Sequence, residues 1–311
     1  MKLICVGEMV IDFLPGTEEG SYIRKAGGAP ANVAVAVARN GLEVGFCGRV
    51  GNDDFGRFLI KTLEDNRVAV TCPKLVDEAI TTMAFVSLDE HGDRSFTFAR
   101  KPGADMFLTR EDVDAAGVRD ADMVHAGSCS LSRDPAADAT VYAISESKRN
   151  GKLVSFDVNY RNLMWQDDRD ACIAAVQKIL PNVDFLKISE EEEDMLGAAP
   201  EEAAETYGIS VLVETLGSAG AKCHWNGKVL HIPGRKANCV DTTGAGDAFW
   251  GGFLSYLLRA GVTSTADLTE DLLLKAMHYG NVAGWLCVQK KGAMESLPTY
   301  DQVAAILEAE A

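Results

Sequence analysis

The sequence predicts an α/β fold: a mainly parallel sheet covered by helices on both faces, with a second, smaller β-sheet beside it. Three observations carry this. Short β-branched runs alternate with amphipathic stretches over most of the chain. From Ala245 onward the sequence is helix-rich. The region 81–100 breaks the alternation with two strand-like runs around a polar turn, Asp89-Glu90-His91-Gly92-Asp93, which reads as a hairpin.

In order, the strand-like runs are 2–6, 44–50, 123–126, 153–157, 185–188 and 211–215. Helical periodicity fills 29–39, 55–66, 136–149, 169–179 and 190–196, then 245–260, 270–289 and 300–309. The hairpin strands are 81–88 and 94–100, and 10–14 and the stretch around 22–25 supply two more. Such a sheet has too little core to stand alone, so it packs over the large sheet or against another subunit. No repeat, low-complexity tract or linker divides the chain, and 1–311 reads as one domain.

The net charge of -16 argues against a nucleic-acid partner, because a phosphate backbone needs a basic face. It leaves room for a small phosphate ligand held by backbone N–H groups. The eight cysteines form no CxxC pair and read as buried, reduced thiols of a cytoplasmic protein. The histidines show no metal-ligand spacing. Met1 leads straight into a strand-like run, so no secretory leader is expected, and no apolar run reaches membrane-spanning length.

The strongest chemical signal is Asp241-Thr242-Thr243-Gly244-Ala245-Gly246-Asp247 followed by the apolar helical pattern of Phe249, Phe253, Leu254 and Leu257. A glycine-rich turn entering a helix offers N–H groups to an anion, and the helix dipole adds partial positive charge. Asp247 is there either a helix cap or a functional carboxylate, and local sequence favours the cap. The Walker pattern is absent, and Phe249 stands where a dinucleotide fingerprint needs a small residue. A second constellation is Gly27-Gly28-Ala29-Pro30-Ala31-Asn32. Its glycines permit close approach of a ligand and Pro30 suits a first helical turn. Asn32 is either a buried amide bonded to backbone or a fork for sugar hydroxyls.

Together these segments, with Gly48-Arg49-Val50-Gly51 and Asp53-Asp54-Phe55-Gly56, resemble the ribokinase/PfkB family of carbohydrate kinases over essentially the whole chain. The resemblance implies a ribokinase-like three-layer α/β/α domain with a small β-sheet lid, formed near 10–26 and 80–101. It implies that Asp247 is the general base toward a primary sugar hydroxyl, with the amides of Gly244, Ala245 and Gly246 as the anion hole. For ATP it implies the loop Thr215, Gly217, Ser218 and Gly220, with Lys187 and Ser189 nearby and Asn281 at the adenine. Ser189 replaces the asparagine of the family's NxxE motif, and Glu192 is its carboxylate toward Mg2+, through water. Asp241, Thr243, Cys287, Lys290, Gly292 and Ser296 match a monovalent-cation loop that implies K+.

Within the family the chain is most similar to bacterial fructokinases, through Gly7-Glu8-Met9-Val10-Ile11-Asp12-Phe13, the 94–100 strand and Asn159-Tyr160-Arg161; Val158 departs from a usual proline. Asp12 is expected at the end of the first strand, where α/β sheets place ligand groups. Phe96 and Phe98 share a face of the lid strand and either cover the sugar or pack the lid; Arg100 continues that parity. Asn159 and Arg161 follow a strand and reach toward sugar or phosphate. Fructose is the first reading; 2-keto-3-deoxygluconate, another ketose or a nucleoside-like substrate is the second, since arginine suits a carboxylate. A sugar-binding regulator without catalysis is the third. The expected partners are a small sugar and ATP, with neither nucleic acid nor membrane, and a homodimer where lid edge strands pair.

Overall fold

A computed structural model describes residues 2–18, 20–71, 75–88 and 94–310, with residues 88 and 94–96 described by backbone alone. The hairpin turn 89–93 and the Phe96 side chain lie outside what is described. Among the described residues the strands, in chain order, are β1 (Lys2–Val6), β2 (Val10–Pro15), β3 (Tyr22–Gly27), β4 (Glu43–Cys47), β5 (Ala69–Val70), β6 (Met83–Leu88) and β7 (Arg94–Ala99). They continue with β8 (Met123–Gly127), β9 (Leu153–Asp157), β10 (Phe185–Ser189), β11 (Val211–Thr215), β12 (Gly220–Trp225) and β13 (Lys228–Pro233).

The large sheet runs β13-β12-β11-β10-β9-β8-β1-β4-β5. From β11 to β5 neighbouring strands are parallel; β12 and β13 are antiparallel additions. Period-2 alternation sorts its side chains into two cores. On β1, Leu3 and Cys5 share a core with Val33 and Val37 of helix Ala29–Arg39 and Phe253 of helix Ala245–Arg259. Ile4 and Val6 face the other way, with Val113 and with Ala139 and Ala143 of helix Ala136–Arg149. The product is a helix–sheet–helix sandwich. None of the described helices is long and apolar enough to cross a membrane.

The second sheet runs β3-β2-β6-β7. Its β2–β6 pair is parallel and its outer pairs are antiparallel. On one face Phe13 stacks on Phe85 at 4.8 Å and meets Phe55 of helix Asp54–Asp65 edge-on at 5.6 Å. This aromatic cluster anchors the small sheet to the body; such pairs add about 1 kcal/mol each beyond their buried area.

Four expectations change. Asp12 does not end the first strand: β1 stops at Val6, and Asp12 lies inside β2 of the small sheet. The strand expected at 44–50 ends at Cys47, whose carbonyl accepts the Gly7 N–H, so both strands turn out of the sheet together. Segment Glu190–Leu196 is a 3-10 helix, its four leading glutamates crowding one turn. The hairpin β12–β13 went unread although Asn226-Gly227 joins its strands; both residues have positive φ, 48° and 69°, as a tight hairpin turn requires.

Candidate active site

The carboxyl ends of the parallel strands and one face of the small sheet enclose a cavity of about 460 Å³. Even-numbered β2 residues Val10, Asp12 and Leu14 line it from above, with Val86 and Phe98. Asn32, Asn159, Arg161, Lys187, Gly244, Gly246 and Asp247 line it from the body.

Asp247 sits in the first turn of helix Ala245–Arg259, whose N-cap is Gly244, and its carboxylate does not cap that helix. Oδ2 instead accepts a 2.7 Å hydrogen bond from Asn32 Nδ2, across 215 residues of sequence. Close helix packing makes this bond reachable. At Gly251 even a methyl group would stand 2.5 Å from Ala36 Cβ, so glycine is what lets the two helices approach. Burial pushes the Asp247 carboxyl above its ordinary range; Asp157 adds to this, while the Asn32 bond and the charges of Lys187 and Arg161 oppose it. A buried, fixed, more basic carboxylate is suited to accept a proton. Asn32 spends its donor on Asp247, and its Oδ1, also buried, has no partner among the described residues.

Asp12 is held above the ordinary range, at about 7, chiefly by burial, with Arg161 opposing. Gly27 lies against it: an added Cβ would meet Asp12 Oδ2 at 2.2 Å. Gly28, with φ 110°, crosses 2.5 Å from the Glu8 carbonyl oxygen by the same measure. Lys187 places Nζ 2.9 Å from both oxygens of Asp157. Burial alone would lower the Lys187 ammonium's pKa, but Asp157, Glu192 and Asp247 together outweigh it and raise it.

Some residues read from the sequence stand elsewhere. Arg100 does not reach the cavity. Its guanidinium is buried and bonds Asp105 at 2.7 and 2.9 Å, Ser132 Oγ and the Met164 carbonyl. Parity placed its Cβ correctly, but a buried guanidinium takes the nearest carboxylate, five residues on. The Ala245 N–H donates to the Thr242 carbonyl at 3.1 Å, closing the turn, so Gly244 and Gly246 are the anion-hole candidates that line the cavity.

Glu192 is the buried member of its acidic run, but both its oxygens are engaged, accepting the N–H groups of Tyr160 (2.6 Å) and Ser189 (2.8 Å). It clamps the ends of β9 and β10 together. Thr215 donates its hydroxyl to the Ile188 carbonyl, and Gly217, Ser218 and Gly220 form the turn from β11 to β12 outside the cavity. Asn281 donates to the Pro233 carbonyl at 2.8 Å.

The segments 241–243 and 287–296 lie side by side. Asp241 accepts from Thr243 N and Oγ1 and from Gly292 N, while Cys287 Sγ is 2.9 Å from Ser296 Oγ. Lys290 joins through its N–H to the Cys287 carbonyl. Among the described residues, no three His, Cys, Asp or Glu side chains cluster as a metal site.

Sequence reasoning assigned no role to Glu8, Lys25, Cys129 or Met164, all of which line the cavity. The signal for Glu8 was available. It follows the true carboxyl end of β1, where the strand-end rule applies, and that rule had been applied to Asp12.

A family model described as pfkB family carbohydrate kinase matches residues 1–300. A fructokinase of Klebsiella pneumoniae is 39% identical over 313 residues, covering 97% of this chain and 98% of that protein. A solved fructokinase from Xylella fastidiosa with bound ATP has a TM-score of 0.92 and 30% identity, covering 99% of this chain and 98% of that one. A fructokinase double mutant from Vibrio cholerae O395, in fructose, ADP and potassium ion bound form, has a TM-score of 0.86 and 36% identity, covering 98% of each chain.

Proposed function

We propose that this chain, which belongs to the pfkB family of carbohydrate kinases, is a fructokinase that converts ATP and D-fructose to ADP and D-fructose 6-phosphate. It is an ATP-dependent carbohydrate kinase; the sugar and the residue roles are what is proposed. The supporting observation is the acceptor-rich cavity around Asp247. Glu8, Asp12 and Asp247 bring carboxyl groups to it, and Asn32 brings an oxygen with no partner among the described residues. A neutral polyol supplies donors to such a wall. A sugar acid would bring a like charge into it, where the charge of Arg161 already acts on both Asp12 and Asp247. The fructokinase relatives point the same way.

In this reading Asn32 fixes Asp247 Oδ2, and Oδ1 takes the proton of the C6 hydroxyl. The C6 oxygen bonds to the γ-phosphorus as the bridge to ADP breaks. The N–H groups of Gly244 and Gly246 face the charge on the transferring group, and Lys187, held by Asp157, adds a fixed cation beside them. Mg2+ would arrive with the nucleotide. The residues present do not fit a direct protein ligand set, since both Glu192 oxygens are bonded to backbone N–H groups and Glu192 does not line the cavity. K+ would be held by main-chain oxygens of the paired segments 241–243 and 287–296. It would neutralise charge there when bound. Two copies would pair through edge strand β3, where Tyr22 and Ile23 are each 48% exposed.

The test is ADP release measured across D-fructose, ribose, 2-keto-3-deoxygluconate and adenosine. Fructose is expected to give the highest kcat/KM. Turnover of the keto acid without turnover of fructose would overturn the assignment.

A further inference from the structure

We propose that Glu8 is a specificity-determining residue whose Oε2 accepts a hydrogen bond from a sugar hydroxyl other than the one phosphorylated. This deepens the fructose reading of the same cavity and rests on it. Glu8 follows the end of β1 and is 4% exposed, yet it lines the cavity. Its Oε1 accepts the Ala29 N–H at 3.3 Å, at the start of helix Ala29–Arg39. Its Oε2 has no partner among the described residues. Buried polar oxygens are almost always satisfied, so one without a partner on a residue that lines a cavity points to a ligand donor.

A salt-bridge role is taken elsewhere. The nearby cation, Arg100, gives Nε and Nη2 to Asp105 and Nη1 to Ser132 and the Met164 carbonyl. Among the described residues, the other unpartnered oxygen on a residue lining this cavity is Asn32 Oδ1, one helical turn beyond Ala29. Each residue is anchored by its other polar atom, Glu8 through Ala29 and Asn32 through Asp247. Two anchored acceptors flanking one helical turn suit two hydroxyls of one sugar, leaving a third for Asp247.

Glu8→Gln isolates the role. Its carbonyl oxygen must serve the Ala29 N–H, which leaves an amide NH2, a donor, facing the cavity. The experiment measures kcat and KM for D-fructose and for its 1-, 3- and 4-deoxy analogues with wild type, Glu8→Gln and Glu8→Asp. Glu8→Asp keeps the carboxyl group and guards against a misfolded glutamine variant. Glu8→Gln is expected to raise KM for fructose roughly 10- to 100-fold with little change in kcat. One deoxy analogue that is poor with wild type should lose nothing further in Glu8→Gln, while the others lose additively. Glu8→Asp should fall between wild type and Glu8→Gln. A fructose KM and a deoxy-sugar pattern unchanged from wild type in both variants would overturn the Glu8 role alone. Absence of wild-type turnover with fructose would overturn the sugar assignment and this inference with it.

Discussion

On the sugar side, side chains from distant segments, among them Glu8, Asp12, Asn32, Phe98, Arg161 and Asp247, close on one cavity. On the side proposed for the nucleotide, Gly217, Ser218 and Ala219 make an exposed turn between Thr215 of β11 and the buried Gly220 of β12, and Asn281 bonds to a neighbouring backbone carbonyl. On the first surface Glu8, Asn32 and Asp247 are buried, Asp12 and Phe98 half-buried and Arg161 exposed, and it is specified residue by residue. The second offers mainly backbone, with Gly217, Ser218 and Ala219 exposed. Under the proposed roles, selectivity belongs to the sugar side, where an unmet hydrogen bond is costly, and adaptability to the nucleotide side.

That contrast sets the expected sizes of perturbation. Asp247→Asn should cut kcat by about 10³-fold, the range of a lost general base, while fructose KM moves by less than about threefold. Steady-state kinetics decides this, and a rate near wild type would remove Asp247 as the base.

Next comes a pH effect on stability at Asp12. Its folded-state pKa of about 7 lies above an ordinary aspartate at 3.8. The folded chain therefore holds this proton more tightly, and the associated stability is full below 3.8 and lost as pH rises through about 7. Asp12→Asn does not titrate. Its melting temperature relative to wild type should climb between pH 4 and pH 8, and a constant offset across that range would contradict the burial of this carboxyl.

The smallest effect is expected at Gly217, where φ is 54° and an added Cβ meets nothing within 4 Å. Gly217→Ala should raise KM for ATP by less than about threefold and cost about 1 kcal/mol or less in stability, checked by kinetics and urea melts. A large effect on fructose KM would erase the division between the two sides.

The fold was legible because burial in a parallel sheet enforces regularity: alternating Leu3, Ile4, Cys5 and Val6 face two cores. What escaped was decided by tertiary partners. Arg100 shares the parity of Phe98, yet its destination depends on Asp105, five residues on, and on Ser132 and Met164, which only the folded chain brings near. Asp247 looked more like a cap than a base because Asn32, the residue that fixes it, lies at the other end of the sequence. Glu8 was overlooked although the strand end at Val6 was legible, because the strand-end rule was applied to Asp12 instead. The β12–β13 hairpin carried an Asn-Gly signal that the expectation of strand–helix alternation overrode.

Substrate and regiochemistry meet in one measurement, the carbon spectrum of D-[6-¹³C]fructose incubated with ATP and the wild-type protein. The labelled C6 resonance is predicted to become split by phosphorus as ADP accumulates, and to stay unsplit over the same time with Asp247→Asn. An unsplit C6 signal while the wild-type protein releases ADP would contradict transfer to the C6 hydroxyl at Asp247.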